Sequence, residues 1–186
     1  MLALLQPDLY VESFHHIDFD YLKKQGIKAI CSDLDNTLVT WETDQANPEL
    51  LDWLQRARAA DFELYLISNA VPARFAHFTE LLGVKGIGKA GKPRKRAFLQ
   101  ALQELKLPAE QVALVGDQIF TDVLGGNRVG LFTILVIPLS QKEFLGTRFM
   151  RRLERIVMRW WRVERMPRFS RGNVFFLSFF NNLCAN

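Results

Sequence analysis

Asp33-Leu34-Asp35-Asn36-Thr37 places two carboxylates one residue apart, directly after the short apolar run at residues 27–32. Paired carboxylates of this kind can divide the labour of phosphate-ester hydrolysis. One attacks phosphorus and carries the phosphoryl group as an aspartyl phosphate, a recognised form of covalent catalysis. The other protonates the leaving alkoxide and later deprotonates the hydrolytic water, assistance worth roughly 10²–10⁴-fold. Asp33 is the expected nucleophile. Asp35, past the point where the chain turns out of the strand, is the expected acid/base.

Asp-x-Asp by itself often marks a solvated turn, and three further clusters lift it above that. Ser68-Asn69 follows the apolar run at 62–67, Lys92-Pro93 opens a helix, and Gly116-Asp117 with Thr121-Asp122 follows the run at 112–115. Ligands of open α/β sheets bind outside the carboxyl ends of the strands, so these groups are expected in one crevice. A phosphate monoester is a dianion that carboxylates repel. Gathering Asp33, Asp35, Asp117 and Asp122 therefore makes sense around a hard cation, and Mg²⁺ is the natural choice for oxygen ligands. Such an ion shields the nucleophile from the phosphate and orients its oxygens. Ser68, Asn69 and Lys92 are expected to hold the remaining phosphoryl oxygens.

The elements that must position these groups are punctuated by proline, glycine and asparagine. Asn47 caps a helix that Pro48 opens, with Leu50, Leu51, Leu54 and Ala57 on its buried face. Pro72 opens a second helix that Gly83 closes. Pro93 opens a third, which turns Phe98, Leu99 and Leu102 inward and stops before Pro108. A short helix is expected at 121–129, and strands at 27–32, 62–67, 112–115 and 132–137. Strands alternating with helices of this length predict an α/β fold, a parallel sheet with helices on both faces.

The four clusters, Asp33 to Leu38, Ser68-Asn69, Lys92-Pro93 and Gly116 to Asp122, resemble the four motifs of the haloacid dehalogenase (HAD) superfamily of phosphatases. Residues 6–10 (Gln-Pro-Asp-Leu-Tyr), 116–122 and 125–130 (Gly-Gly-Asn-Arg-Val-Gly) resemble more narrowly the YqeG family of class IIIA HAD phosphatases. The resemblance spans about residues 5–165. It implies a Rossmann-like HAD fold, Mg²⁺ dependence, and the roles given above for Asp33, Asp35, Ser68, Lys92 and Asp117. A related eukaryotic branch acts on phosphatidylglycerophosphate, so the resemblance implies that substrate too.

Small-molecule phosphatases of this superfamily usually carry a cap domain between motifs. Here Asp35 and Ser68 are 33 positions apart, and Ser68 and Lys92 are 24 apart, which leaves room for no cap. An uncapped site cannot wrap a small metabolite, and suits a substrate that brings its own cover: a lipid head group, a protein, or a nucleic-acid end. Trp41, on the flap after the first motif, either meets that substrate or packs on the flap.

Charge bears on the same choice. The net charge of +4 hides a basic end: residues 141–186 carry +7 and the preceding 140 carry −3. Phe149, Leu153, Ile156, Trp160 and Val163 share one helical face between arginines, so residues 149–163 are read as a basic amphipathic helix. It either docks on the domain or makes peripheral contact with an anionic membrane surface. Nucleic acid is a second possible partner of this basic end, and a non-enzymatic binding module on the same fold is a further alternative. Arg94, Lys95 and Arg96 add charge beside Lys92, or are simply solvated.

Residues 1–166 are expected to form the phosphatase domain and 167–186 a C-terminal tail. With 49% apolar residues the chain can bury a sizeable core, and no stretch approaches the roughly 18 apolar residues that span a bilayer. Two cysteines, one of them Cys31 in an apolar run, fit a reducing cytoplasm. His15, His16 and His77 form no ligand spacing and are expected at the surface.

Overall fold

The computed structural model describes residues 2–140 together with Leu153 and Met158. Strands β1 (Leu9–Val11), β2 (Ala29–Ser32), β3 (Glu63–Ile67), β4 (Lys85–Ile87), β5 (Val112–Gly116) and β6 (Phe132–Val136) form one sheet in the order β1-β6-β5-β2-β3-β4. Every neighbouring pair is parallel. The helices are α1 (Phe19–Lys24), α2 (Pro48–Ala59), α3 (Pro72–Leu82), α4 (Lys95–Leu105) and the single turn α5 (Leu124–Asn127).

Strand alternation splits the core into two layers. Ile30, Ala113 and Val115 pack with Leu22 of α1, Trp53 of α2 and Phe78 of α3 on one face. Cys31, Val112 and Leu114 pack with Ala97, Phe98 and Ala101 of α4 on the other. Both faces of the central strands are thus covered, which is the reason their sequences are continuously apolar. Burial pushes the Cys31 thiol well above its ordinary pKa, as befits a small core residue. Among the described residues, no helix is long and apolar enough to cross a membrane.

The punctuation acts as expected at Asn47, Pro48, Pro72 and Gly83, whereas Pro93 does not open the third helix: α4 starts at Lys95, with Arg94 as its N-cap. The Asn47 side chain accepts from Leu50 N at 2.7 Å, and Gly83 ends α3 in the left-handed conformation at φ 59°. Two inward assignments need correction. Leu51 and Leu99 are 46% and 47% exposed, while Trp53 and Ala101 take the buried faces of α2 and α4. Leu51 and Leu99 each stand one residue, or about 100°, from a buried Leu50 or Phe98, which turns them to the flank. The expected helix at 121–129 divides into a π-helical turn, Ile119–Val123, followed by α5. Strands β1 and β4 and helix α1 were not foreseen in the sequence as elements.

The arginine-rich stretch at 149–163 and the tail at 167–186 lie outside the described residues, apart from Leu153 and Met158. Both of these are helical, and Met158 packs against Ile119, Val123 and Leu135.

Edge strand β1 is fastened by side chains from the two outer segments of the narrower family resemblance. Asp8 Oδ2 accepts from Thr133 N at 2.7 Å. Asn127 Nδ2 donates to Leu4 O and Gln6 O at 2.9 and 2.8 Å, and Asn127 Oδ1 accepts from the Thr133 hydroxyl at 2.9 Å. These side chains do not line the crevice expected at the carboxyl edge of the sheet. Asn127→Ala is expected to lower unfolding free energy by about 1–3 kcal/mol, because it strands partly buried partners. Urea denaturation measures this, and turnover per folded molecule should stay unchanged.

Candidate active site

Strand order decides which side chains meet. β2 lies between β3 and β5, so the residues following these three strands emerge side by side at the carboxyl edge of the sheet. Asp33 N donates to Val115 O at 2.9 Å, extending the ladder one residue past β2 and fixing Asp33 beside Gly116 and Asp117. Ser68 and Asn69 leave β3. Ser68 Oγ accepts from Ala70 N at 3.1 Å, and Asn69 Oδ1 accepts from Lys92 N at 3.1 Å. The second of these bonds joins two motifs that are far apart in sequence.

Lys92 is the centre of the arrangement. Its Nζ lies 2.9 Å from Asp33 Oδ1 and 2.6 Å from Asp122 Oδ1, and its side chain is 2% exposed. Burial alone would lower its pKa. The two carboxylates outweigh burial and hold it above the ordinary lysine value. Asp122 is pushed up by burial, with Asp33 and Asp117 acting in the same direction against Lys92. Gln118 N donates to Asp122 Oδ2 at 3.1 Å, and the Thr121 hydroxyl lies 3.2 Å from the same oxygen. Gly116 makes room for this carboxylate: a Cβ there would lie 2.3 Å from Asp122 Cγ. Thr37 Oγ1 donates to Asp117 Oδ1 at 3.1 Å, tying the first motif to the last.

Of the four acids expected around a cation, the fold gathers three. One carboxylate oxygen each from Asp33, Asp117 and Asp122 lie within 4.8 Å of one another, and all three residues are buried. Against these stands one ammonium, that of Lys92, so the cluster carries negative charge in excess. A hard divalent cation with oxygen ligands fits both that charge and that donor set. Asp35 is outside the cluster. Its Oδ1 accepts from Arg74 Nε at 2.7 Å, and its pKa is raised by burial, with Arg74 opposing. A carboxyl group raised in this way holds a proton more readily, which suits a general acid.

Asp33, Asp35, Ser68, Asn69 and Lys92 all line one cleft of about 490 Å³. Trp41 and Val71 stand on its wall, so the flap tryptophan does face the crevice. Arg94, Lys95 and Arg96 are exposed and contribute nothing to the wall. His77 donates from Nε2 to Asp44 O at 2.6 Å on the flap, and His15 and His16 pair loosely with Glu49 and Glu12. Arg74 lines the cleft too and was missed in the sequence. Its signal was position: a lone arginine in the first turn of a helix that starts just past Ser68-Asn69, at the edge where such sites form.

Residues 24–130 match the haloacid dehalogenase-like hydrolase family. The chain is 40% identical over 152 residues to the probable phosphatase YqeG of Bacillus subtilis, which covers 82% of this chain and 88% of that protein. It is 26% identical over 166 residues to the chloroplastic/mitochondrial phosphatidylglycerophosphate phosphatase 1 of Arabidopsis thaliana. That match covers 83% of this chain and 47% of the plant protein, about half its length. The crystal structure of an uncharacterized protein from Listeria monocytogenes serotype 4b shares the fold, with a TM-score of 0.50 at 13% identity over 72% of this chain and 99% of that one.

Removing the central cation should be costly. Lys92→Ala leaves Asp33 and Asp122 buried without their partner, and is expected to destabilise the fold by about 3–5 kcal/mol in EDTA. Chemical denaturation checks this, and added Mg²⁺ should recover part of the loss.

Proposed function

Starting from the premise that the chain belongs to the haloacid dehalogenase-like hydrolases and is a phosphatase, we propose that it is a Mg²⁺-dependent phosphomonoesterase. We further propose that it acts through a phosphorylated Asp33 and that its substrate is the lipid phosphatidylglycerophosphate. The observation that carries the chemical part is the position of Asp33, buried at the carboxyl end of β2 and held 2.9 Å from Lys92.

In this reading one Asp33 carboxylate oxygen attacks phosphorus as the ester oxygen departs. Asp35 gives that oxygen its proton, so the alcohol leaves neutral. Asp35 then takes a proton from a water molecule, which attacks the phosphorus of the aspartyl phosphate, releases inorganic phosphate and restores the Asp33 carboxylate. Lys92, with Ser68 and Asn69 on the same wall, binds phosphoryl oxygens and offsets their charge. Asp33, Asp117 and Asp122 would hold Mg²⁺, which supplies charge neutralisation at the phosphoryl oxygens when bound.

The substrate assignment is supported by the cleft's shape and rim. The interval from Asp35 to Ser68 is spent on a flap and α2, and that from Ser68 to Lys92 on α3 and β4, so among the described residues neither interval holds a cap domain. Val71 on the cleft wall is 64% exposed, and Leu139, whose N–H donates to Asn36 O, is 41% exposed. Apolar residues beside an open phosphate site suit a head group presented at a lipid surface. The basic excess after residue 140 suits its charge. The similarity to a plant phosphatidylglycerophosphate phosphatase agrees.

Purified protein with Mg²⁺ is expected to release phosphate from phosphatidylglycerophosphate in vesicles, and EDTA or Asp33→Asn is expected to abolish release. Faster turnover of soluble phosphomonoesters or phosphopeptides than of the vesicle substrate would overturn the lipid assignment. In the same buffers, saturating Mg²⁺ should raise the melting temperature of the wild type and not that of Asp117→Asn.

A further inference from the structure

We propose that Arg74 is a positioning residue for the reaction, holding the Asp35 carboxylate in the orientation that proton transfer requires and using the flap as its anchor. The proposal rests on the reading of Asp35 as the acid/base.

The guanidinium makes three separate attachments. Nε donates to Asp35 Oδ1 at 2.7 Å, Nη1 to Thr43 O at 2.6 Å and Nη2 to Thr40 O at 2.9 Å. Thr40 and Thr43 belong to the flap, on either side of Trp41 and Glu42. The guanidinium carbon also lies 4.9 Å from the centre of the Phe78 ring, which is fully buried. Two backbone carbonyls and the Phe78 ring leave the group little freedom. Its remaining contact therefore fixes one oxygen of Asp35 in space. His77 gives α3 a second hold on the flap, through its bond to Asp44 O.

This geometry argues against a rival role for Arg74 as an anion ligand. Three of its five N–H groups already donate to protein oxygens, and the Asp35 carboxylate pairs with its charge. The Arg74 and Asp35 side chains are 19% and 28% exposed, so the pair sits where substrate arrives yet is partly shielded from water. Preorganisation of this kind has a kinetic meaning, since misplacing a catalytic group by about 1 Å can cost on the order of 10²-fold in rate. Lysine cannot replace the planar fork, because its ammonium cannot address three acceptors in one plane.

The test uses leaving groups. An alkyl phosphate needs a proton on its departing oxygen, whereas p-nitrophenolate leaves without one. kcat/KM for each substrate reports phosphoryl transfer to the enzyme and excludes the later water attack. Wild type, Arg74→Ala, Arg74→Lys and Asp35→Asn are compared on glycerol 3-phosphate and on p-nitrophenyl phosphate with Mg²⁺. Both Arg74 variants are expected to lose about 10²-fold in kcat/KM on the alkyl ester, the lower end of acid–base assistance, and much less on the aryl ester. Added guanidinium should restore part of the alkyl activity to Arg74→Ala. Asp35→Asn must show the same division between substrates. If it loses both equally, the acid/base reading itself fails. If Asp35→Asn divides them while the folded Arg74 variants lose both equally or neither, the positioning role alone is overturned. Should Arg74→Ala not fold, Arg74→Lys decides by the same criterion.

Discussion

The site depends on one buried contact: a lysine ammonium placed between the carboxylates of Asp33 and Asp122. Two carboxylates with a third, Asp117, close by would not stay ionised in a buried crevice unless cations compensated them. Lys92 supplies one such charge, and the three acids lie close enough together that they could hold a divalent ion. Much of the surrounding structure serves that contact. The Asn69 side chain holds the Lys92 backbone, Gly116 leaves space for Asp122, and Thr37 steadies Asp117. The parallel order, with β2 between β3 and β5, brings the motifs to one edge.

The central elements were legible because burial on both faces makes a strand read as an apolar run, and because proline, asparagine and glycine mark helix ends through backbone chemistry. β1 and β4 were not legible as strands. Each has three residues, too few for a period, and β1 is an edge strand paired with β6 and fastened further by Asp8, Asn127 and Thr133. Leucine identity does not fix the helical angle: Leu51 and Leu99 face outward, whereas Trp53 and Ala101 occupy the inward positions.

That these residues share one cleft was legible from motif order, and which partners each carboxylate meets was not. Asp35 was grouped with the other three acids because all follow strands. The chain bends between Asp33 and Asp35, and Asn36 adopts a left-handed φ of 61°. The two carboxylates then meet different partners: Asp33 faces Lys92 and Asp35 faces Arg74. Such a divergence depends on side-chain direction after a turn, which residue spacing does not encode. It separates a cluster of three acids that could hold a cation from a carboxyl group whose raised pKa comes from burial, and so gives the two neighbouring aspartates different surroundings.

Phosphorylation of Asp33 is the step on which the proposed chemistry depends. Borohydride reduces an acyl phosphate to the alcohol and would convert a phosphorylated Asp33 to homoserine. Protein mixed with substrate and Mg²⁺, quenched during turnover, reduced and examined by peptide mass spectrometry should show homoserine at position 33 and none without substrate. Modification at another carboxylate, or an unmodified Asp33 in a protein shown to be turning over with the phosphoenzyme-forming step fast, would contradict it.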